Sequence, residues 1–195
     1  MMEKSIKELS EDIASSSPTP GGGTVAALAG NFAASLMSMV SGLTLKSNKY
    51  EEFHPVMKDL LQWLEETRSR LLKLSEEDTE AYNQVVLAFR MPKETEEEKM
   101  ERQKAIQKAF KRAAEVPLET AEICSDILEK LEENQEKINL SAYSDWEVAR
   151  EMSLAALKGA LYNVEINMES IKDGEYVDAT EEQLQKIKHK RGIVN

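Results

Sequence analysis

Between Asp12 and Lys46 the chain carries no charged side chain, although 31% of its 195 residues are Asp, Glu, Lys or Arg. The run opens Ser15-Ser-Ser-Pro-Thr-Pro-Gly-Gly-Gly-Thr24. Pro18 and Pro20 predict an extended approach, and Gly21, Gly22 and Gly23 are expected to take backbone angles that other residues resist. From about Thr24 to Leu45 the spacing predicts one helix. Its Ala26, Gly30, Ala33 and Ala34 admit close neighbours, while Leu28, Phe32, Leu36, Met37 and Val40 supply bulk. Thr24, Asn31, Ser35, Ser38 and Gly42 trace a small, polar stripe along it. A helix so bare of charge in an acidic chain is expected at its centre, surrounded by other helices. Its free N–H groups and positive dipole end favour an anionic group, although a tight turn is the plainer reading of three glycines alone.

The remaining segments also read as helices. Ile6, Leu9 and Ile13 recur at helical spacing, predicting a short amphipathic helix before the serine run. His54-Pro55 opens a third helix with an apolar face that continues through Tyr82 and Val85 to Phe89, where Met91-Pro92-Lys93 breaks it. Thr95 and Glu98 form a capping box for a fourth, whose Arg102, Lys104, Lys108, Lys111 and Arg112 read mostly as a solvated face. Pro117 is expected to kink or restart that helix. Residues 134–143 read as a loop, and Ser144 with Glu147 as a second capping box opening a fifth helix to about Ile171. Asp173-Gly174 is expected to stop it, with Thr180 and Gln183 capping a short last helix. The fold expected is all-α, a single-domain bundle over residues 1–195 around the small-residue helix.

A net charge of −11 argues against nucleic acid and against anionic membranes as partners. Cys124 is the one cysteine, so no internal disulfide is available, which suits a reducing cytoplasm; its apolar setting reads as core. Glu3, Lys4, Lys7 and Glu8 leave no apolar signal core at the N-terminus. The charge-free helix is long enough to span a bilayer, but its serines, Asn31 and glycines make a poor lipid-facing surface. His54 has no second histidine or cysteine at ligand spacing and reads as a helix-entry residue.

Four ordered blocks carry a resemblance. Ser17-Pro-Thr-Pro-Gly-Gly-Gly-Thr24-Val-Ala-Ala-Leu-Ala-Gly30 leads on to Met39-Val-Ser-Gly-Leu-Thr44 and Lys46-Ser-Asn-Lys-Tyr50. Asp78-Thr-Glu-Ala-Tyr82 closes in Pro92-Lys93, Asn139 precedes Ser144-Asp145, and Gly159 precedes Asn163-Val-Glu-Ile-Asn167. Together they resemble the cyclodeaminase/cyclohydrolase family of folate enzymes. That family includes the C-terminal domain of formiminotransferase-cyclodeaminase and bacterial methenyltetrahydrofolate cyclohydrolase. Tyr82 stands where phenylalanine is common in it.

The resemblance implies a tetrahydrofolate-type substrate, no cofactor, no metal, and a homodimer with sites near the subunit interface. It implies one of two reactions, cyclodeamination of 5-formiminotetrahydrofolate or hydrolysis of the methenyl compound. A non-enzymatic helical interaction module is the rival. Asp78 and Asp145 are the candidates for proton transfer or for holding a cationic amidine. Taken alone, Asp78 also reads as a surface acid and Asp145 as a first-turn acid serving the helix dipole. Ser17, Thr19, Gly21, Gly22, Gly23, Tyr82, Asn139, Asn163 and Asn167 are candidates for binding the substrate, and Lys46, Lys49 and Lys93 for its glutamate carboxylates. Asn163 and Asn167, with Gly159, form a stripe that either bonds the Asn31–Ser35–Ser38 stripe or faces a polar heterocycle.

Overall fold

Capping chemistry and proline placement divide the chain into six α-helices and two short 3₁₀ turns, with no strand among the described residues, 4–193, of the computed structural model. Glu3 lies outside the described residues. The helices are α1 (Ile6–Ala14), α2 (Gly22–Leu45), α3 (His54–Phe89), α4 (Glu96–Asn134), α5 (Tyr143–Met168) and α6 (Gly174–Lys190). Pro55 sits in the first turn of α3, where a missing N–H costs nothing. Thr95 accepts from the Glu98 N–H while the Glu98 carboxylate accepts from the Thr95 N–H, so α4 starts at the expected box.

Helices α2 to α5 form an up-down-up-down bundle. Asn31 donates to the Arg68 carbonyl across α2 and α3, Arg70 bridges to Glu119 across α3 and α4, and the Trp146 indole donates to the Leu131 carbonyl across α4 and α5. Gly159 packs on Ala26 and closes the square between α5 and α2. Helix α6 lies along α4, tied by Lys111 to Asp173 and Lys190 to Glu129. Small residues set the closeness: a Cβ on Gly30 would press on the Cys124 sulfur. Burial pushes the Cys124 thiol up to about 12, so it is inert core.

Several expectations from local sequence need correction. Helix α2 has the largest buried share of the six helices, as expected, with Ala26, Gly30 and Ala34 inside, but it is a corner of the square and keeps one open face. Ala26, Ala33, Ala34, Met37 and Val40 face inward, but Val25, Phe32, Met39 and Leu43 are exposed. The helix is long and apolar enough to cross a membrane, yet most of its apolar stretch is buried against the other helices. Pro117 neither ends nor restarts α4, which runs through it for 39 residues. Ser144 does not cap α5; the N-cap is Ala142, with no side-chain bond, because a 3₁₀ turn at Leu140–Ala142 carries the chain straight into the helix. Thr180 lies inside α6, whose N-cap, Asp173, lies seven residues before the predicted one because the Asp173 side chain accepts from the Tyr176 N–H. The basic face of α4 is partly a set of struts: Arg112 reaches Glu77, Lys111 reaches Asp173 and Arg102 donates to the Phe89 carbonyl. Helix α1 carries its apolar spacing but none of its residues is buried.

Candidate active site

The first turn of α2 offers N–H groups that its own N-cap cannot satisfy, since Gly21 has no side chain to bond them. A carboxylate from α3 takes that place. Asp78 accepts from the Thr24 hydroxyl at 2.8 Å, and the Thr24 backbone N–H also bonds it. Burial raises the Asp78 pKa above the ordinary carboxylate value, and the Thr24 hydroxyl and backbone bonds oppose that rise. The result is a largely buried carboxylate of raised pKa, held at the positive end of a helix.

The glycines matter here for space and not for backbone sign. None of Gly21, Gly22 or Gly23 has a positive φ, contrary to expectation; among the described glycines only Gly192 does. Gly21 has φ −115 and ψ −160, ordinary extended backbone. A Cβ on Gly23 would collide with Asp78 Oδ1, one on Gly22 would lie 3.2 Å from Asn163 Nδ2, and one on Gly21 would lie 3.0 Å from the Pro18 carbonyl. The loop is bare so that a carboxylate and an amide can sit against it.

The asparagines divide between two jobs, and of the two alternatives open for them the bond to the α2 polar stripe is not made. Asn31, Ser35 and Ser38 are satisfied elsewhere, by the Arg68 carbonyl and by carbonyls one turn back. Asn167 spends both amide hydrogens on carbonyls, that of Asn163 at 2.7 Å and that of Ala113 at 3.0 Å. Ala113 is four residues before Pro117, so its carbonyl is the one that proline's missing N–H leaves free. That bond explains how α4 continues through Pro117. Asn163 uses one hydrogen on the Gly159 carbonyl, leaving an N–H and a carbonyl oxygen.

These groups line one cleft of about 540 Å³ between α2, α3, α4 and α5, large enough for a drug-sized ligand. Thr19, Gly21, Gly22, Gly23, Asp78, Tyr82, Asn163 and Asn167 all border it. Ser17 stands just behind, its hydroxyl donating to the Thr19 carbonyl at 2.8 Å. The opposite wall is apolar: Val85, Val86, Ile166, and Phe89 edge-on to Phe110 at 6.0 Å between centroids. Sequence reading missed Thr24 as a partner of Asp78, and missed this wall. Phe89 was findable, since it shares a helix face with Tyr82 and Val85, whereas Phe110 comes from another helix and had no local signal.

The other candidates stand elsewhere. Lys46 and Lys49 follow the C-terminal end of α2, and Lys49 lies over the Tyr50 ring. Asn139 is anchored there too: its N–H donates to Thr44 Oγ1 and its side chain accepts from the Ser141 N–H. Asp145 sits in the first turn of α5 at the same end. The rise of α2 between Thr24 and Thr44 separates this group from the cleft by about 30 Å within one chain. Lys93 lies exposed in the α3–α4 connection and does not line the cleft.

Residues 5–186 match the family model described as Formiminotransferase-cyclodeaminase. A methenyltetrahydrofolate cyclohydrolase of Methylorubrum extorquens is 35% identical over 192 residues, 98% of this chain and 92% of that one. The formimidoyltransferase-cyclodeaminase of Rattus norvegicus is 29% identical over 96% of this chain, which corresponds to 35% of that longer protein. The solved structure of formiminotetrahydrofolate cyclodeaminase from Thermotoga maritima superposes with a TM-score of 0.87 at 30% identity, covering 98% of this chain and 92% of that one. With the match running from α1 into α6 and through every residue of the cleft, the chain belongs to the formiminotransferase-cyclodeaminase family.

Proposed function

We propose that the chain is a one-carbon folate enzyme, a formiminotetrahydrofolate cyclodeaminase. The observation that carries this reading is Asp78, a carboxylate of raised pKa set on an open helix start, beside a free amide edge and under an aromatic wall. The wall suits a flat ring system, and the free N–H and carbonyl of Asn163 suit a pterin edge. In the reaction, nitrogen 10 attacks the carbon of the formamidinium group on nitrogen 5. Asp78 takes the proton from nitrogen 10 as the tetrahedral aminal forms. It then returns that proton to the amino group, the carbon–nitrogen bond breaks, and ammonia leaves a 5,10-methenyl cation. Proton transfer and fixed dipoles suffice for this sequence, so the proposal includes no cofactor.

A second reading, methenyltetrahydrofolate cyclohydrolase, is favoured by the full-length similarity to the Methylorubrum extorquens protein. Water then adds to the same carbon; Asp78 takes one proton from it and returns that proton to the departing nitrogen 5, and the proton of the remaining hydroxyl passes to solvent as the formyl carbonyl forms. Ammonia release from 5-formiminotetrahydrofolate, measured beside hydrolysis of the methenyl compound, separates the two. Failure of both, together with no rise in melting temperature on adding tetrahydrofolate, would leave a helical interaction module.

The proposal includes a homodimer. Val25, Ala29, Phe32, Leu36, Met39 and Leu43 repeat at alternating spacings of four and three on α2, as do Val148, Met152, Ala155, Gly159, Tyr162 and Ile166 on α5. Gly159 touches Ala26, so both stripes flank one seam, and much of it is exposed in the single chain. A two-fold axis across this seam runs the helices antiparallel to their copies. The Lys46–Asn139–Asp145 end of one subunit then approaches the cleft of the other, beside Ile166, which belongs to both stripe and cleft. A cytoplasmic setting, without membrane or nucleic-acid partners, completes the reading; the single cysteine supports the first and the acidic charge the second.

A further inference from the structure

Every buried hydroxyl of α2 beyond its first turn donates to a carbonyl one turn back in its own helix: Ser41 to Met37 and Thr44 to Val40. Thr24 differs. It is fully buried, and its hydroxyl crosses to α3 to donate to Asp78 Oδ2 at 2.8 Å. A hydroxyl has one hydrogen, so in the 3.3 Å contact between Thr24 Oγ1 and Thr79 Oγ1 it is Thr79 that donates. Two hydroxyls therefore form a chain that ends on a single carboxylate oxygen, each bond polarising the next. The other oxygen, Oδ1, faces Gly23, which lines the cleft. Thr24 itself does not line it.

We propose that Thr24, backed by Thr79, is a positioning residue that ties down Asp78 Oδ2 and so presents Oδ1 as the oxygen that exchanges a proton with the substrate. This rests on the reading of the cleft as the folate site. An untied carboxylate could rotate and share its proton between two oxygens, only one of which is aligned. The Thr24 bond also favours the charged form against the burial that raises the pKa, so its loss moves the titration of Asp78 further up.

The experiment compares Thr24→Val, close in shape but without the hydroxyl, with Thr24→Ser, which restores it, and with Thr79→Val. For Thr24→Val the expected result is a fall in kcat of about 10- to 100-fold with KM nearly unchanged, and the limb of the pH profile that follows Asp78 moved to higher pH. Thr24→Ser should return both toward wild type, and Thr79→Val should move the limb the same way by less. A lowered kcat with an unmoved limb, or no recovery in Thr24→Ser, overturns the relay. If Thr24→Val does not fold, Thr79→Val, outside α2, decides on the same limb. Asp78→Asn measured alongside separates the two levels: an inactive Asp78→Asn with a wild-type profile in Thr24→Val sinks only the relay. An active Asp78→Asn overturns the assignment of the cleft and the relay together.

Discussion

Asp78 illustrates how one residue can serve function against stability. Because burial raises its pKa, the folded chain binds this proton more readily than the unfolded chain does. Its contribution to stability is therefore fullest at acid pH and declines as pH rises from the unfolded aspartate's pKa through the folded value. Asp78→Asn removes the buried charge and keeps an acceptor for Thr24. It should melt no lower than wild type at neutral pH, with the difference in its favour growing as pH rises past the unfolded aspartate's pKa and levelling off above the folded one. Turnover should fall about 100- to 10,000-fold. Melting curves across pH with a single turnover assay check both halves, and a variant that loses stability at neutral pH would mark Asp78 as a cap and not a strained acid. Gly23→Ala tests the neighbouring constraint. The added methyl must displace Asp78 Oδ1, so activity should drop far more than melting temperature, where a plain turn glycine would show the reverse.

At the scale of elements, α4 and α5 depend on each other through one amide. Asn167 donates to the carbonyl that Pro117 leaves without a partner, so Asn167→Ala strands a buried acceptor and should cost about 1–3 kcal/mol. With Pro117→Ala in the background, residue 117 supplies its own N–H and the same substitution should cost much less. A double-mutant cycle by denaturant unfolding measures this coupling. Additive effects would mean that the carbonyl is satisfied by something else. The α3–α4 struts are of another kind. Arg70 grips Glu77 and Glu119, and these neighbours raise its pKa, but all three side chains are about a third exposed and each pair contributes at most about 1 kcal/mol.

For the whole molecule, the open apolar seam of α2 and α5 and the distance between its two ends belong to one problem. In the proposed homodimer Phe32 would lie in the seam, so Phe32→Glu should halve the mass seen by sedimentation or light scattering, since an unpaired charge is costly in an apolar helix interface. It should also abolish turnover if each site draws residues from both subunits. Mixed dimers test that sharing directly. If Asp78→Asn and Asp145→Asn chains are each inactive, unfolding and refolding them together at equal amounts should restore about a quarter of the wild-type sites, because one site of each mixed dimer holds both aspartates. No recovery would place Asp145 outside the site, as a first-turn acid serving the α5 dipole.

The elements themselves were legible because their signals are local. The capping box at Thr95, the proline at position 55 and the charge-free run from 13 to 45 act within one or two turns, and the helices start and end accordingly. Asp78, the glycines and Asn163 could be picked out from the motif blocks, and they meet in one cleft. What could not be read locally was settled by atoms far away in sequence. Pro117 is harmless because an amide 50 residues later takes its orphaned carbonyl. Ser144 lost its cap because the preceding 3₁₀ turn enters the helix continuously, and Asp173 took over the start of α6 from Thr180. The glycines yield space to a carboxylate from α3 where their own sequence suggested unusual backbone angles. Sequence alone set the helices and their order, since hydrogen bonding and capping are short-ranged; tertiary structure alone decided which orphan donors and acceptors meet, and hence where a carboxylate is buried enough for its pKa to rise.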